Sequence, residues 1–377
     1  MTIQSVLDEA VTSGAMPFAV AMAGNSGGIT FEGAAGEAAP GCAAGPDTVF
    51  RIFSMTKAIG ALAAMMLIDR GQLRMDTRVA EILPDWDRVQ VLDRFDGDTP
   101  VMRPPKETAT IRHLATHTAG MDYEFWDGDV RRYMQAVGLR TIMSGRKASL
   151  LYPLMADPGT RWSYGPGSDW LGQVVEAVDG RRIDTFCREE IFAPLGMDTT
   201  RFEPDGLEDR LAAVWQRQDD GGFARRKLSP PAQPEFYGMG HALYSTAGDY
   251  MRFLRMVLNR GALDGERLLS EQAVGALLAD QMRGLTVLPM RSATPATSAD
   301  FVLPADTTHS FAFARFESDQ PGKRRAGSQG WAGIANTHFW LDPAADVAAV
   351  LMTQSLPFAE PRFMSAYDAY ERAVYDQ

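Results

Sequence analysis

Apolar residues at Ile3, Val6, Leu7, Ala10 and Val11 recur at helical spacing and predict a helix over the first dozen residues. Phe18 to Ala23 and Ile29 to Gly33 then read as two strands joined by the turn Gly24-Asn25-Ser26-Gly27-Gly28. A short β-branched and aromatic stretch, Phe50-Arg51-Ile52-Phe53, ends at Ser54, and from Ala58 to Ile68 no residue is charged. That run falls short of the roughly 20 apolar residues a bilayer requires. Apolar on every side, it predicts a helix buried in the middle of the protein.

Gly71 stops this helix, and a Pro- and Asp-rich connector runs through Pro105. Helical segments, among them Trp170 to Val178 and Ile183 to Phe192, continue to about Pro230. The last part changes character: Phe311 to Phe316, His338 to Leu341 and Val347 to Met352 look like successive strands, closed by a helix from Glu360 to Tyr375. Strands at both ends with helices between predict an α/β (α+β) domain, residues 1–72 and 231–377, split by a mostly helical domain over 73–230. The active site is expected in the cleft between the two.

Composition narrows the function classes. The 377 residues are 45% hydrophobic and 23% charged, as in ordinary globular proteins, and the formal net charge is −11. With no basic cluster, nucleic acid and anionic membrane are not expected partners. The first ten residues lack the basic n-region and apolar core of a secretory signal, and Cys42 and Cys187 are the only cysteines. Both features predict a cytoplasmic protein with free thiols.

The candidate chemistry begins at Ser54-Met55-Thr56-Lys57. Residues i and i+3 share a helix face, so the Lys57 amine can reach the Ser54 hydroxyl. The positive end of the helix dipole favours negative charge developing there. A Ser beside a Lys in a dry site is an activated nucleophile with its base. The turn around Ser26 also matches G-x-S-x-G, but a nucleophile elbow needs a long helix after it, and strand-like Ile29-Thr30-Phe31-Glu32 follows. His113 and His117 are spaced i, i+4, with no third His or Cys nearby, and are read as packing or hydrogen-bonding histidines. Tyr164 lies at a Gly- and Pro-rich loop tip before a helix, and is expected to titrate as a pair with Lys57. Gly327-Ser328-Gln329-Gly330-Trp331-Ala332-Gly333, leading into an apolar strand, could aim a backbone N–H at a developing oxyanion.

Together these pieces resemble the superfamily of serine β-lactamases, penicillin-binding DD-peptidases and family VIII carboxylesterases. The resemblance is collinear through Phe53-Ser54-Met55-Thr56-Lys57, Ile111 to Gly120, Pro158 to Tyr164, Pro194-Leu195-Gly196-Met197 and Ser245 to Tyr250. It implies a β-lactamase-like fold, an antiparallel sheet flanked by N- and C-terminal helices with an inserted helical domain. Ser54 would be the acylated nucleophile, Lys57 its partner base and Tyr164 the proton shuttle to the leaving group. The backbone N–H groups of Ser54 and Ile334 would form the oxyanion hole. The resemblance also sets Tyr123, Phe125, Trp126, Trp331 and Gly333 around the substrate. His241 joins them with its role open, since relatives usually carry a small residue there. It calls for no cofactor and no metal.

Two departures bear on the substrate. Pro166 replaces the Asn of the class C Tyr-x-Asn motif, and Trp331-Ala332-Gly333 replaces Lys-Thr-Gly. Losing an amide and a cation removes groups that bind an anionic substrate. Family VIII esterases share a Trp-Gly-Gly-like motif, so the chain resembles them most. The leading expectation is a carboxylesterase, a serine hydrolase cleaving short-chain neutral esters, with a small-molecule ester as its partner. The rivals are an acyltransferase on the same scaffold, a weak β-lactamase or DD-peptidase, and a non-catalytic binding protein, against which intact Ser54, Lys57 and Tyr164 argue.

Ser54→Ala is expected to abolish esterase activity and fluorophosphonate labelling, and Ser26→Ala to change neither, because only Ser54 has a base at helix spacing. Labelling lost in the Ser26 variant would overturn the assignment.

Overall fold

Phe18, Val20 and Met22 leave their strand on one side and Ala19, Ala21 and Ala23 on the other, and each set is buried in its own hydrophobic cluster. The strand is apolar without alternation because both faces of its sheet are covered. A computed structural model describes residues 2–376.

The sheet is built from β1 (Phe18–Gly24), β2 (Ile29–Ala39), β3 (Cys42–Ala43), β4 (Thr308–His309), β5 (Ala314–Arg315), β6 (Gln329–Gly333), β7 (Thr337–Asp342) and β8 (Val347–Met352). Its order is β4-β5-β6-β7-β8-β1-β2-β3, antiparallel throughout. The first and last thirds of the chain therefore supply one sheet. The turn between β1 and β2 is closed by Asn25 N–H donating to Gly28 O at 2.9 Å, and the Ser26 hydroxyl donates to Asp346 at 2.7 Å. Ser26 is a hairpin residue, as its context indicates.

On one face lie α1 (Ile3–Thr12) and the C-terminal helix, Pro361–Tyr375. The Tyr370 hydroxyl of that last helix reaches carbonyls of β1 and β8, donating at 2.9 Å to Met22 O and 3.0 Å to Val350 O. Small alanines on that side of β1 let the helices approach closely. The opposite face joins the large core that contains α2 (Thr56–Asp69), whose residues from Thr56 through Leu67 are all buried. α2 packs on α3 (Gly167–Asp179), and the side chain of Met239 wedges between them: a Cβ at Gly60 or Gly172 would come within 2.9 and 2.7 Å of it. A further helix, α4 (Ala247–Leu258), is capped by the Thr246 hydroxyl and covers β1 and β8. With it named, the C-terminal helix is α5.

Two expected elements differ. Of Phe311 to Phe316 only Ala314–Arg315 is strand, because the Ser310 hydroxyl accepts the N–H groups of Ala312 and Phe313 and folds the segment into a turn. The Gly327–Gly333 stretch does not lead into a strand; from Gln329 onward it is β6 itself. Since β5 pairs only with Gln329 and Gly330, the rest of β6 presents an open edge.

Among the buried histidines, desolvation lowers the pKa of His117, His309 and His338, to about 4 for His309, about 3 for His338 and well below the ordinary value for His117. Each therefore contributes stability that is complete above about pH 6.5 and lost as pH falls below it, by about 1.4 kcal/mol per pH unit per residue. Asp122 acts with the opposite sign, burial raising its carboxyl to about 6. A difference measurement isolates one group. Between pH 6 and 4, His338→Gln should lose stability more slowly than wild type by about 1.4 kcal/mol per pH unit in urea melts. Parallel curves would contradict the assignment.

Candidate active site

The backbone takes an unusual route into α2. Phe53 is buried at a φ of 43°, a left-handed conformation disfavoured for an aromatic residue, and a single 3-10 turn, Phe53–Met55, precedes the helix. Ser54 thus stands on a turn before α2 and not within its first helical turn. Surrounding bonds hold the turn: Ile52 N–H donates to Leu243 O at 3.1 Å, and the Tyr250 hydroxyl donates to Met55 O at 3.0 Å. From the sheet side, β6 presses against it so closely that a Cβ at Gly333 would lie 2.4 Å from Ile52 O.

Lys57, 5% exposed, donates from Nζ to Ser54 Oγ at 3.0 Å and to Gly240 O at 2.8 Å. The same nitrogen lies 5.1 Å from the ring centre of Tyr123 and 5.0 Å from that of Tyr164. Two oxygens and two aromatic faces thus surround a charge that would otherwise be costly to bury.

Tyr164 is 5% exposed and sits in an aromatic nest. Its ring stacks with Trp162 at 5.9 Å and meets His117 edge-on at 4.8 Å and Tyr123 at 5.3 Å. Its hydroxyl accepts a hydrogen bond from Trp331 Nε1 at 2.9 Å. Behind it His117 and His309 lie 5.2 Å apart, and His309 Nδ1 bonds Ser310 O at 2.6 Å. Burial does most to lower the His117 pKa, and positive charge on His309 or Lys57 lowers it further.

A cavity of about 230 Å³ opens in front of Ser54, Tyr164 and Trp331. Phe125, Trp126 and Phe301 contribute aromatic wall, and Ile334 lies beside the end of β6. The lining is mostly apolar, as small-molecule sites usually are.

Of the residues singled out from sequence, Ser54, Lys57, Tyr164, Phe125, Trp126, Trp331 and Ile334 converge here. Three placements need correction. Tyr123 does not line the cavity; 4% exposed, it backs Lys57 and stacks on Phe125 at 5.1 Å. Gly333 packs beneath Ile52, where only a hydrogen fits. His241 is not part of the cavity wall: its Nδ1 lies 3.5 Å from Asp169 Oδ1, and it is the carbonyl of the preceding residue, Gly240, that meets Lys57. His113 accepts the Thr110 N–H in a helix capping box and His117 packs on Tyr164, so the pair serves hydrogen bonding and packing. Among the described residues no three His, Cys, Asp or Glu side chains converge to hold a metal ion, and no helix is long and apolar enough to cross a membrane.

Sequence reasoning missed the Gly240 carbonyl and the indole N–H of Trp331. The first is a backbone atom, flagged only by the paired glycines of Gly238-Met239-Gly240. The second has no local signal, because the hydroxyl that the indole meets lies 167 residues away along the chain.

A beta-lactamase family profile matches residues 3–373. The chain is 29% identical over 346 residues to monacolin J acid methylbutanoyltransferase of Aspergillus terreus, covering 88% of this chain and 83% of that protein. It is 32% identical over 227 residues to lovastatin esterase of Penicillium rubens, covering 58% and 57% respectively. A mutant of simvastatin synthase from Aspergillus terreus superposes with a TM-score of 0.86 at 27% identity, over 100% of this chain and 96% of the other. A split antiparallel sheet carrying a Ser–Lys–Tyr cluster agrees with that likeness along the whole chain: it belongs to the beta-lactamase family and is an enzyme of the serine β-lactamase-like superfamily.

Proposed function

We propose that the protein cleaves neutral carboxylic esters through an acyl-enzyme on Ser54. The observation that carries this reading is Lys57 Nζ at 3.0 Å from Ser54 Oγ, beside Tyr164 and opening on an apolar cavity. The Lys57–Tyr164 pair enters the cycle one proton short. As Oγ attacks the ester carbonyl, its proton passes to the Lys57 amine or the Tyr164 phenolate. The oxyanion forms against the N–H groups of Ser54 and Ile334, where preorganised donors stabilise charge that develops only in the transition state. Collapse breaks the C–O bond of the leaving alcohol, which takes the proton back from the pair. Water then repeats the sequence and frees the acid.

With Gly240 O accepting one N–H of Lys57, the amine's lone pair is left free to turn to Ser54. The Trp331 indole spends its one donor on Tyr164, which leaves only its apolar faces for the substrate. That supports a neutral substrate, since the cations on the cavity wall, Lys323 and Arg324, are already paired with Asp368 and Glu371, and burying a carboxylate without a partner costs several kcal/mol.

A second reading, transfer of the acyl group to an alcohol, is favoured by the likeness to a methylbutanoyltransferase. The two differ only in which nucleophile enters after the first alcohol leaves. A p-nitrophenyl ester series run with and without an added primary alcohol separates them. Short neutral esters should turn over at least about a hundredfold faster than benzylpenicillin, the unpaired carboxylate setting the gap. New ester formed with the alcohol would assign transferase activity, free acid alone would assign hydrolysis, and comparable penicillin turnover would refute the neutral-substrate reading.

Tyr164→Phe keeps the ring and its packing but removes the hydroxyl. Its kcat should fall by about 10²–10⁴ with an unchanged circular dichroism spectrum, the range of general acid–base help. A kcat near wild type would leave Lys57 as the sole proton carrier.

A further inference from the structure

Asp169 lies in the first turn of α3, is wholly buried, and belongs to none of the cavity walls. Its Oδ1 accepts the Gly240 N–H at 3.0 Å, and Oδ2 has no hydrogen-bond partner among the described residues. A buried carboxylate with so few partners is costly, and polar groups at that cost mark a constraint somewhere nearby. Here the constraint is Gly240. One end of that residue is held by Asp169, and the other end, its carbonyl, receives the Lys57 Nζ at 2.8 Å.

The turn from Gly238 to His241 is moulded around the carboxylate. A Cβ at Gly240 would lie 2.5 Å from Asp169 Oδ2, and one at Gly238 would lie 2.6 Å from Oδ1 and 2.3 Å from His241 Cε1. Ala242 N–H closes the turn on Gly238 O at 3.0 Å. His241 covers the outer side of the carboxylate, Nδ1 at 3.5 Å from Oδ1, with 9% of its side chain exposed. On the inner side, Met239 anchors the turn between α2 and α3. Asp169 is also tied to the Tyr164 loop, its N–H donating to Pro166 O at 3.1 Å. The Asp169 charge reaches the site as well: burial pushes the Tyr123 hydroxyl far up its ordinary range, and Asp169 adds to the push.

We propose that Asp169 is a positioning residue for Lys57: by holding the Gly240 N–H inside a turn walled by His241, it fixes the carbonyl that orients the Lys57 amine toward Ser54. The proposal rests on the acyl-enzyme reading above. It does not require Asp169 to touch substrate. When the amine is neutral, one N–H on Gly240 O sets where its lone pair points. A Gly240 carbonyl free to turn would leave that lone pair unaimed, lowering the rate of Ser54 acylation without weakening substrate binding.

The test compares Asp169→Ala and Asp169→Asn in the full chain, reading kcat and KM on p-nitrophenyl butyrate and the rate of fluorophosphonate labelling by intact mass. The carboxamide oxygen of Asn can still accept the Gly240 N–H, so that variant should stay within about threefold of wild-type kcat. Asp169→Ala should lower both kcat and the labelling rate by at least about tenfold, with KM moved less than about threefold. In a Lys57→Ala background, Asp169→Ala should change the slow residual labelling less than about twofold, because residues acting through one another are not additive. Should Asp169→Ala fail to fold, Asp169→Ser, whose hydroxyl stops a bond short of the Gly240 amide, carries the same comparison. A full tenfold loss persisting without Lys57, a loss confined to KM, or an unchanged kcat in the Ala or Ser variant would overturn the proposal. Labelling of wild type at Ser54 is read in the same experiment, so failure of the acyl-enzyme reading is seen separately.

Discussion

A single lysine, buried at the start of a helix whose next charge comes only at its last residue, Asp69, sets terms the rest of the structure has to meet. An ammonium in a dry interior is tolerated only when its donors are met. Lys57 meets them with Ser54 Oγ, Gly240 O and the faces of Tyr123 and Tyr164, contributed from four separate stretches of chain. The same contacts that make burial tolerable also aim the amine. Stability and chemistry share one set of atoms here, so the site cannot loosen without exposing the cost of the buried charge.

The nucleophile's position follows from how the sheet meets α2. β6 lies against Ile52 with clearance only for a glycine, and Thr337 of β7 donates to Ile52 O at 3.3 Å. This clamp holds Phe53 in a left-handed conformation that would cost free energy in a free chain. The open edge of β6 beyond Gly330 then leaves room for the cavity, and Ile334, just past the end of β6, shares the cavity wall with Ser54. A longer β5 would pair with that edge and fill the space.

The aromatic nest around Tyr164 does a related job. Trp162, His117, Tyr123 and Trp331 fix the ring from all sides, and Trp331 also fills one lone pair of the hydroxyl. Neutral histidines behind it add bulk without adding a second positive charge next to Lys57. A substituent that is a cation in the class C pattern has become, in this chain, an indole that serves the tyrosine.

Local pattern determined a good deal. The alternation-free strands, the uncharged helix after Ser54, the hairpin at Ser26 and the C-terminal helix were legible because each depends on residues adjacent in sequence. The Ser54–Lys57 contact was legible for the same reason, since the 3-10 turn that carries Ser54 runs on into α2 and keeps residues three apart on one side. What only the tertiary structure decided were contacts between distant stretches. Tyr123, Gly333 and His241 were expected at the substrate and are found supporting Lys57, the nucleophile turn and Asp169. The role of Gly240 depends on a carbonyl, an atom every residue has, and so leaves no mark on side-chain identity. Trp331 could be read as apolar or as a donor, and only its distance to a hydroxyl on another loop chose between them. Side-chain chemistry along a chain limits which contacts are possible, but packing decides which of them are made.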